Sequence, residues 1–337
     1  MKSTRPMTAD AAKCRAIFDA IERTARRVRV TFNMRWGPGV SKVRELIAAG
    51  EIWRVRHINF EYLLDASHGA DYFRRWHSQK ECSGGLLIHK ATHHFDAINW
   101  WLDAIPFEVF AMGGLEFYRR QNAIERGDEA LTRYPRYTGH PEALNDPFRL
   151  VLDGDSTLRE LYLNAEEETD YIRDQNVFRE GIDIEDSMSL LIKYRTDEMV
   201  AYSLNAYCPR EGFRASISGD RGRIDYEEHH STHVAASLPE PEFTRRLTLQ
   251  KIFSMPREIH IPSLEGGHGG GDPLLQEQIF SANPPHDPLL RYAGHEQGAA
   301  SLLIGAAANH SMATGYPVQI ASLLPLKPDA TRLSQLV

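Results

Sequence analysis

The run Gly84-Gly85-Leu86-Leu87-Ile88-His89-Lys90-Ala91-Thr92-His93-His94-Phe95-Asp96 decides how the rest of the 337-residue chain is read. A glycine pair and a short apolar step lead into three histidines, a lysine and an aspartate within eight positions. Residues four apart share a face once a turn is helical, so His89 and His93 are expected to converge. Two chemistries use such a pair: a metal site, or a general base beside a charged partner. The bland alternative is a helix start with hydrogen-bonded histidines. A metal needs a third ligand, and no HExxH or cysteine pair supplies one, so no metal is expected.

Working outward, Phe95, Ile98, Trp101 and Leu102 form the inward stripe of a helix from about Ala91 to Leu102. Upstream, Ile52 to Leu64 reads as a long strand. Before it, Val40, Val43, Leu46 and Ile47 mark a helix stopped by Gly50. Val28 to Met34 alternates like a strand, and a helix capped by Thr8 runs to about Arg27. Downstream, 105–118 reads as a strand. Residues 119–183 are irregular, with one short helix near 156–165. Strands dominate 187–261, with turns at Thr196-Asp197-Glu198 and Gly219-Asp220-Arg221-Gly222. Helices return near 273–280 and 295–314, and Pro317–Ala321 closes as a strand. This order predicts an α/β piece followed by an α+β domain with a mostly antiparallel sheet.

Composition limits the function. Apolar residues are 42 % and the net charge is −7, which disfavours a nucleic-acid partner. Residues 1–35 hold nine Lys or Arg against three acids, read as the wet face of an amphipathic helix. No apolar run is long enough for a membrane span. Three scattered cysteines fit a reducing, cytoplasmic setting. A second polar cluster, Glu265-Gly266-Gly267-His268-Gly269-Gly270-Gly271-Asp272, has glycines that let backbone approach a ligand, with His268 at its centre. The shared-site expectation is one cleft faced by His93, His89, Lys90 and His268.

Together these motifs resemble the Gfo/Idh/MocA family of NAD(P)-dependent oxidoreductases. The likeness spans residue 4 to about 322. Thr4-Arg5-Pro6 stands where the family has Glu-Lys-Pro, and Thr31-Phe32-Asn33-Met34-Arg35 where it has GFNxR. Gly84 to Asp96 matches GGxxxDxGxHxxD, with His93 at the catalytic histidine and His89 in place of the aspartate. The resemblance implies 1–50 as the C-terminal remnant of a dinucleotide-binding Rossmann domain, 51–322 as a substrate and oligomerisation domain, and 323–337 as a tail. It implies His93, His89 and Lys90 as catalytic, and Arg5, Pro6, Asn33 and Arg35 on the cofactor side. It places His268, Asp96, Asp174 and Gln175 toward the substrate. The implied cofactor is NAD or NADP, and the implied partner is a sugar or polyol. A large open C-terminal sheet, and a homo-oligomer through it, are also implied.

Two departures shape the expectation. The glycine turn that receives the pyrophosphate is not found ahead of Thr4, so weak dinucleotide binding is expected of this chain. Arg5 replaces the motif lysine and, always charged, cannot act as a base. The competing readings are an NAD-dependent glycoside hydrolase of the same superfamily, which also carries a Gly-His-Gly-Gly loop, and a non-catalytic truncated paralogue.

Overall fold

Strand β3 (Val55–Asp65) explains the layering, because its side chains alternate between two very different surroundings. Ile58, Phe60, Tyr62 and Leu64 are buried, while Asn59 is exposed. The computed structural model describes residues 2–3, 6–231 and 243–336. Two short strands precede β3: β1 (Lys2–Ser3) and β2 (Arg29–Val30). After it come β4 (Pro106–Gly114), β5 (Ser187–Tyr194), β6 (Met199–Cys208), β7 (Glu211–Gly219), β8 (Gly222–Ser231), β9 (Thr244–Lys251), β10 (Arg257–Glu258), β11 (Ala293–Gly294) and β12 (Val318–Gln319).

Nine of these form one sheet in the order β10-β9-β8-β7-β3-β6-β5-β4-β12. Its pairings are antiparallel except β3 with β6. The expected large, mostly antiparallel sheet is therefore present. The expected turns join β5 to β6, with Asp197 at φ +71°, and β7 to β8. A second sheet pairs β1 parallel to β2 and β2 antiparallel to β11. The N-terminal piece thus borrows a strand from residues 293–294.

Helices cover one face of the large sheet. The helices in chain order are α1 (Ala11–Thr24), α2 (Pro38–Ala48), α3 (Ala66–Arg74), α4 (Lys80–Ser83), α5 (Leu86–His89) and α6 (Thr92–Leu102), then α7 (Arg120–Glu125), α8 (Ser156–Leu161), α9 (Glu166–Thr169), α10 (Gly271–Phe280), α11 (His295–Thr314) and α12 (Ile320–Leu323). Helix α11 packs along β4 and α6, and α2 lies against β8. Trp101 on α6 donates its indole N–H to the Val40 carbonyl at 2.9 Å, tying α6 to α2. Each fully buried Leu, Ile or Phe of this layer contributes roughly 1.5–3 kcal/mol. The other face is open and exposes Met112, Leu191 and Met199 around a groove of about 520 Å³.

Several local expectations are corrected. The cap of α1 is Asp10, whose carboxylate accepts from Lys13 N–H; the Thr8 hydroxyl instead donates to the Asp10 carbonyl. The strand expected over Val28–Met34 lasts two residues and turns into a 3-10 helix over Asn33–Trp36. The irregular stretch 119–183 holds α7, α8 and α9 rather than one helix. Residues 323–337, expected as a tail, bury Leu324, Leu326, Leu333 and Leu336 in the main core. Gln297 Nε2 donates to the carbonyls of Leu333 and Leu336, which fixes that segment.

Candidate functional site

The glycine pair shapes the site first. Gly84 ends α4 at φ +73°, where a Cβ would lie 2.4 Å from the Ala9 carbonyl oxygen. The chain then makes a single helical turn, α5, and breaks at Lys90-Ala91 before α6 starts at Thr92. His89 and His93 therefore sit on separate helices, not on one helical face. His89 turns to His77, with the two Nε2 atoms 2.9 Å apart. One ring donates and the other accepts, so the pair shares a proton. Tyr72 lies edge-on to both rings, and Trp76 stacks on His77 at 3.7 Å between centroids.

Lys90 points the other way. Its Nζ lies 3.7 Å from Glu211 Oε1 and 5.0 Å from the centre of the Tyr62 ring. The Tyr62 hydroxyl donates to the same oxygen at 2.9 Å, and His68 Nδ1 donates to Oε2 at 2.7 Å. Burial alone would raise the Glu211 carboxyl, but His68, Lys90 and Tyr62 outweigh it and hold it at about 2. His68 is placed by the cap of α3, where Asp65 accepts from the N–H groups of Ser67 and His68. Glu211 arrives by strand pairing: β7 runs antiparallel to β3 with Tyr62 opposite Phe213, and its ladder with β8 bulges between Glu211 and Gly212.

His93 is half-buried and meets the Phe32 ring edge-on at 5.7 Å. Next to it His94 is buried, stacked on Tyr62 at 4.0 Å and hydrogen-bonded to the Tyr202 hydroxyl. Burial pushes the His94 pKa well down, and the nearby charges of Lys90, His93 and His230 add to this. His94 is thus a neutral packing element, with Lys90 and His93 both within its electrostatic reach.

The residues expected toward cofactor and substrate divide differently. Arg35 and Asp96 close on each other: Arg35 Nε and Nη2 meet the two Asp96 oxygens at 2.6 Å each, and both side chains are sealed from solvent. Arg35 Nη1 also donates to Gln297 at 3.0 Å. This pair joins the 3-10 turn to α6 and is inaccessible to a ligand, which corrects both expectations. Asp174 is buried too, accepting from Arg136 and from Thr138 N–H. Half-buried Gln175 donates to the Ile172 carbonyl. Both therefore serve the 119–183 fold rather than face the histidines.

Asn33 donates to Asp272 at 3.4 Å, joining the 3-10 turn to the glycine loop. Gly271 permits this approach: a Cβ there would lie 3.1 Å from Trp36 backbone. Pro6 is half-buried, while Arg5 and the side chain of His268 lie outside the described residues. Among the described residues, no group of three or more His, Cys, Asp or Glu could hold a metal ion. No helix among them is long and apolar enough to cross a membrane. His77, His68, Tyr62 and Glu211 were missed by sequence reasoning; strand pairing and the α3 cap bring Tyr62, Glu211 and His68 together beside Lys90, while His77 meets His89.

This fold and motif belong to a class of oxidoreductases. Residues 44–320 match the model of the oxidoreductase family C-terminal alpha/beta domain, GFO_IDH_MocA_C. YteT of Bacillus subtilis (strain 168) is 33 % identical over 344 residues, covering 96 % of this chain and 76 % of that protein. The chain belongs to the Gfo/Idh/MocA family. Inositol 2-dehydrogenase of Rhizobium meliloti (strain 1021) is 28 % identical over 107 residues, 32 % of this chain and 30 % of that protein. In fold, the chain resembles aldose-aldose oxidoreductase from Caulobacter crescentus complexed with glycerol, with TM-score 0.58 and 14 % identity, over 94 % of this chain and 71 % of that one. It also resembles levoglucosan dehydrogenase in complex with NADH and levoglucosan, with TM-score 0.61 and 16 % identity, over 94 % and 73 %.

Proposed function

We propose that this chain acts on the CH–OH group of a sugar or polyol, with His93 as the base. The observation that carries this is Lys90, whose ammonium is held between Glu211 and the Tyr62 ring, three residues before half-buried His93. A cation orients a substrate oxygen, and a neutral imidazole nitrogen of His93 accepts the hydroxyl proton. Glu211 and His68 are positioning residues, since they act through Lys90.

NAD or NADP is the hydride acceptor proposed for the reaction. The described residues do not complete a site for its pyrophosphate. No glycine turn among them leads from a parallel strand into a helix, and the N-terminus of α1 is closed by the Asp10 carboxylate. Calorimetry with NADH and NADPH is expected to show only weak binding; micromolar affinity for either contradicts this.

The open sheet face, with Met112, Leu191 and Met199 exposed, is the surface proposed for pairing two copies of the chain in the cytoplasm. Sedimentation showing only monomer at tens of micromolar, roughly where a modest interface would assemble, speaks against it.

The site itself is tested with a panel of polyols and aldoses at millimolar NAD or NADP. The expected result is polyol-dependent formation of reduced cofactor, with Lys90→Met raising KM about tenfold or more. Release of phenolate from an aryl glycoside, with no net change in reduced cofactor, would favour hydrolysis instead.

A further inference from the structure

A second cavity lies at the opposite end of β3, where α2, the start of β3 and the β5–β6 turn meet, and encloses about 500 Å³. Tyr62 in the candidate site lies seven positions along β3 from Val55 on its wall, a run of about 23 Å. Four arginines line it, Arg44, Arg54, Arg56 and Arg332, against two carboxylates, Asp103 and Glu198. The carboxylates are engaged: Asp103 accepts from Ser334 N–H at 2.8 Å and Ser334 Oγ at 3.0 Å, and Glu198 accepts from the Thr196 hydroxyl. Arg56 is neutralised by Asp220, through contacts of 2.8 and 3.1 Å.

Arg44, Arg54 and Arg332 have no carboxylate within ion-pair distance among the described residues. Arg44 donates Nη1 to the Trp101 carbonyl at 3.0 Å, while its Nε is buried without a hydrogen-bond partner. Burial lowers its pKa; Asp103 opposes this, and the guanidiniums of Arg35 and Arg332 add to it. Like charges gathered at a partly buried cavity cost stability unless a counter-charge joins them. Trp53 stands on the same wall, half exposed and held at φ +64°, a conformation that a tryptophan adopts only when its surroundings enforce it. Arg221 lies 4.5 Å from its ring centre. Ile47, Val55 and Leu102 complete an apolar wall. The volume is that of a small-molecule site, in the range of roughly 300–1,000 Å³.

We propose that this cavity binds a small organic anion, whose phosphate or carboxylate is taken by Arg44, Arg54 and Arg332 and whose apolar or aromatic body rests on Trp53. The proposal is independent of the chemistry at His93. It is tested by titrating the whole chain at low salt with phenyl phosphate, benzoate and inorganic phosphate, following heat and tryptophan fluorescence. Saturable one-to-one binding of phenyl phosphate or benzoate in the millimolar range or tighter is expected, weakening as salt is raised. The tighter of the two identifies the ligand as a phosphate ester or a carboxylate. The double variant Arg54→Gln, Arg332→Gln removes two exposed side chains that donate to no described carboxylate. It should weaken binding at least about tenfold at an unchanged unfolding temperature. No saturable binding of any probe, or wild-type affinity in the double variant, overturns the proposal. Inorganic phosphate binding as tightly as phenyl phosphate overturns the part assigned to Trp53.

Discussion

Two charged groupings flank α6, and they differ in what surrounds them. At Arg35–Asp96 two opposite charges meet through two 2.6 Å contacts with no solvent on either side chain. At Lys90–Glu211 the charges are 3.7 Å apart, and the carboxylate divides itself among Tyr62, His68 and Lys90. His68 is substantially exposed there, while Lys90 keeps a fifth of its side chain in solvent. Both groupings stem from one sequence motif and its neighbours. The first has no spare donor facing outward and holds elements together. The second keeps a cation accessible and so can meet a substrate.

The largest expected effect breaks the sealed pair. Asp96→Asn leaves Arg35 buried beside a neutral amide, and should cost roughly 3–5 kcal/mol of stability. Urea unfolding measures it, and a loss under 1 kcal/mol would show that the pair is not the structural tie described.

A smaller effect is expected at the open cluster. Glu211→Gln keeps an acceptor for Tyr62 but removes the charge facing Lys90 and His68. It should cost about 1–3 kcal/mol and lower kcat/KM about tenfold. Acid titration sharpens the point. The Glu211 carboxyl is lowered from 4.5 to about 2 in the folded chain, so its stabilisation is complete above pH 4.5 and fades as pH falls through 2. Urea midpoints of wild type and Glu211→Gln should therefore converge between pH 5 and pH 2. A constant gap would show that the carboxyl is not held ionised by its neighbours.

The smallest effect is expected at the proton-sharing pair. His77→Phe preserves packing under Trp76 but removes the partner of His89. The pH–rate profile should shift while kcat changes less than about tenfold, the low end for a group that only positions a proton. An unchanged profile would leave the pair a packing feature.

Much of this comparison was legible in the sequence, for physical reasons that can be named. Helix 295–314 and the Gly50 stop are local patterns, and both stand where periodicity and glycine placed them. The sheet was legible because each strand alternates and each turn carries its own residues, Asp197 being one. The Gly84–Asp96 run was legible as a cluster, but the break at Lys90-Ala91 was not, and that break sends His89 and His93 to different neighbours. Glu211 was invisible because it reaches Tyr62 only through β3–β7 pairing across 149 positions. Arg35 and Asp96 matched family motifs at ligand positions, yet their mutual fit across 61 positions seals them. The buried 323–337 segment was missed because it has almost no secondary structure and packs through single leucines.

The claim that the accessible side of α6 performs proton transfer is tested most directly by His93→Ala. Initial rates of polyol-dependent cofactor reduction, at millimolar NAD or NADP, should fall roughly 10²-fold or more relative to wild type. The unfolding temperature should stay within a few degrees of wild type, since His93 is half-buried and meets the Phe32 ring edge-on. A His93→Ala rate equal to that of wild type would contradict the assignment of His93 as the base.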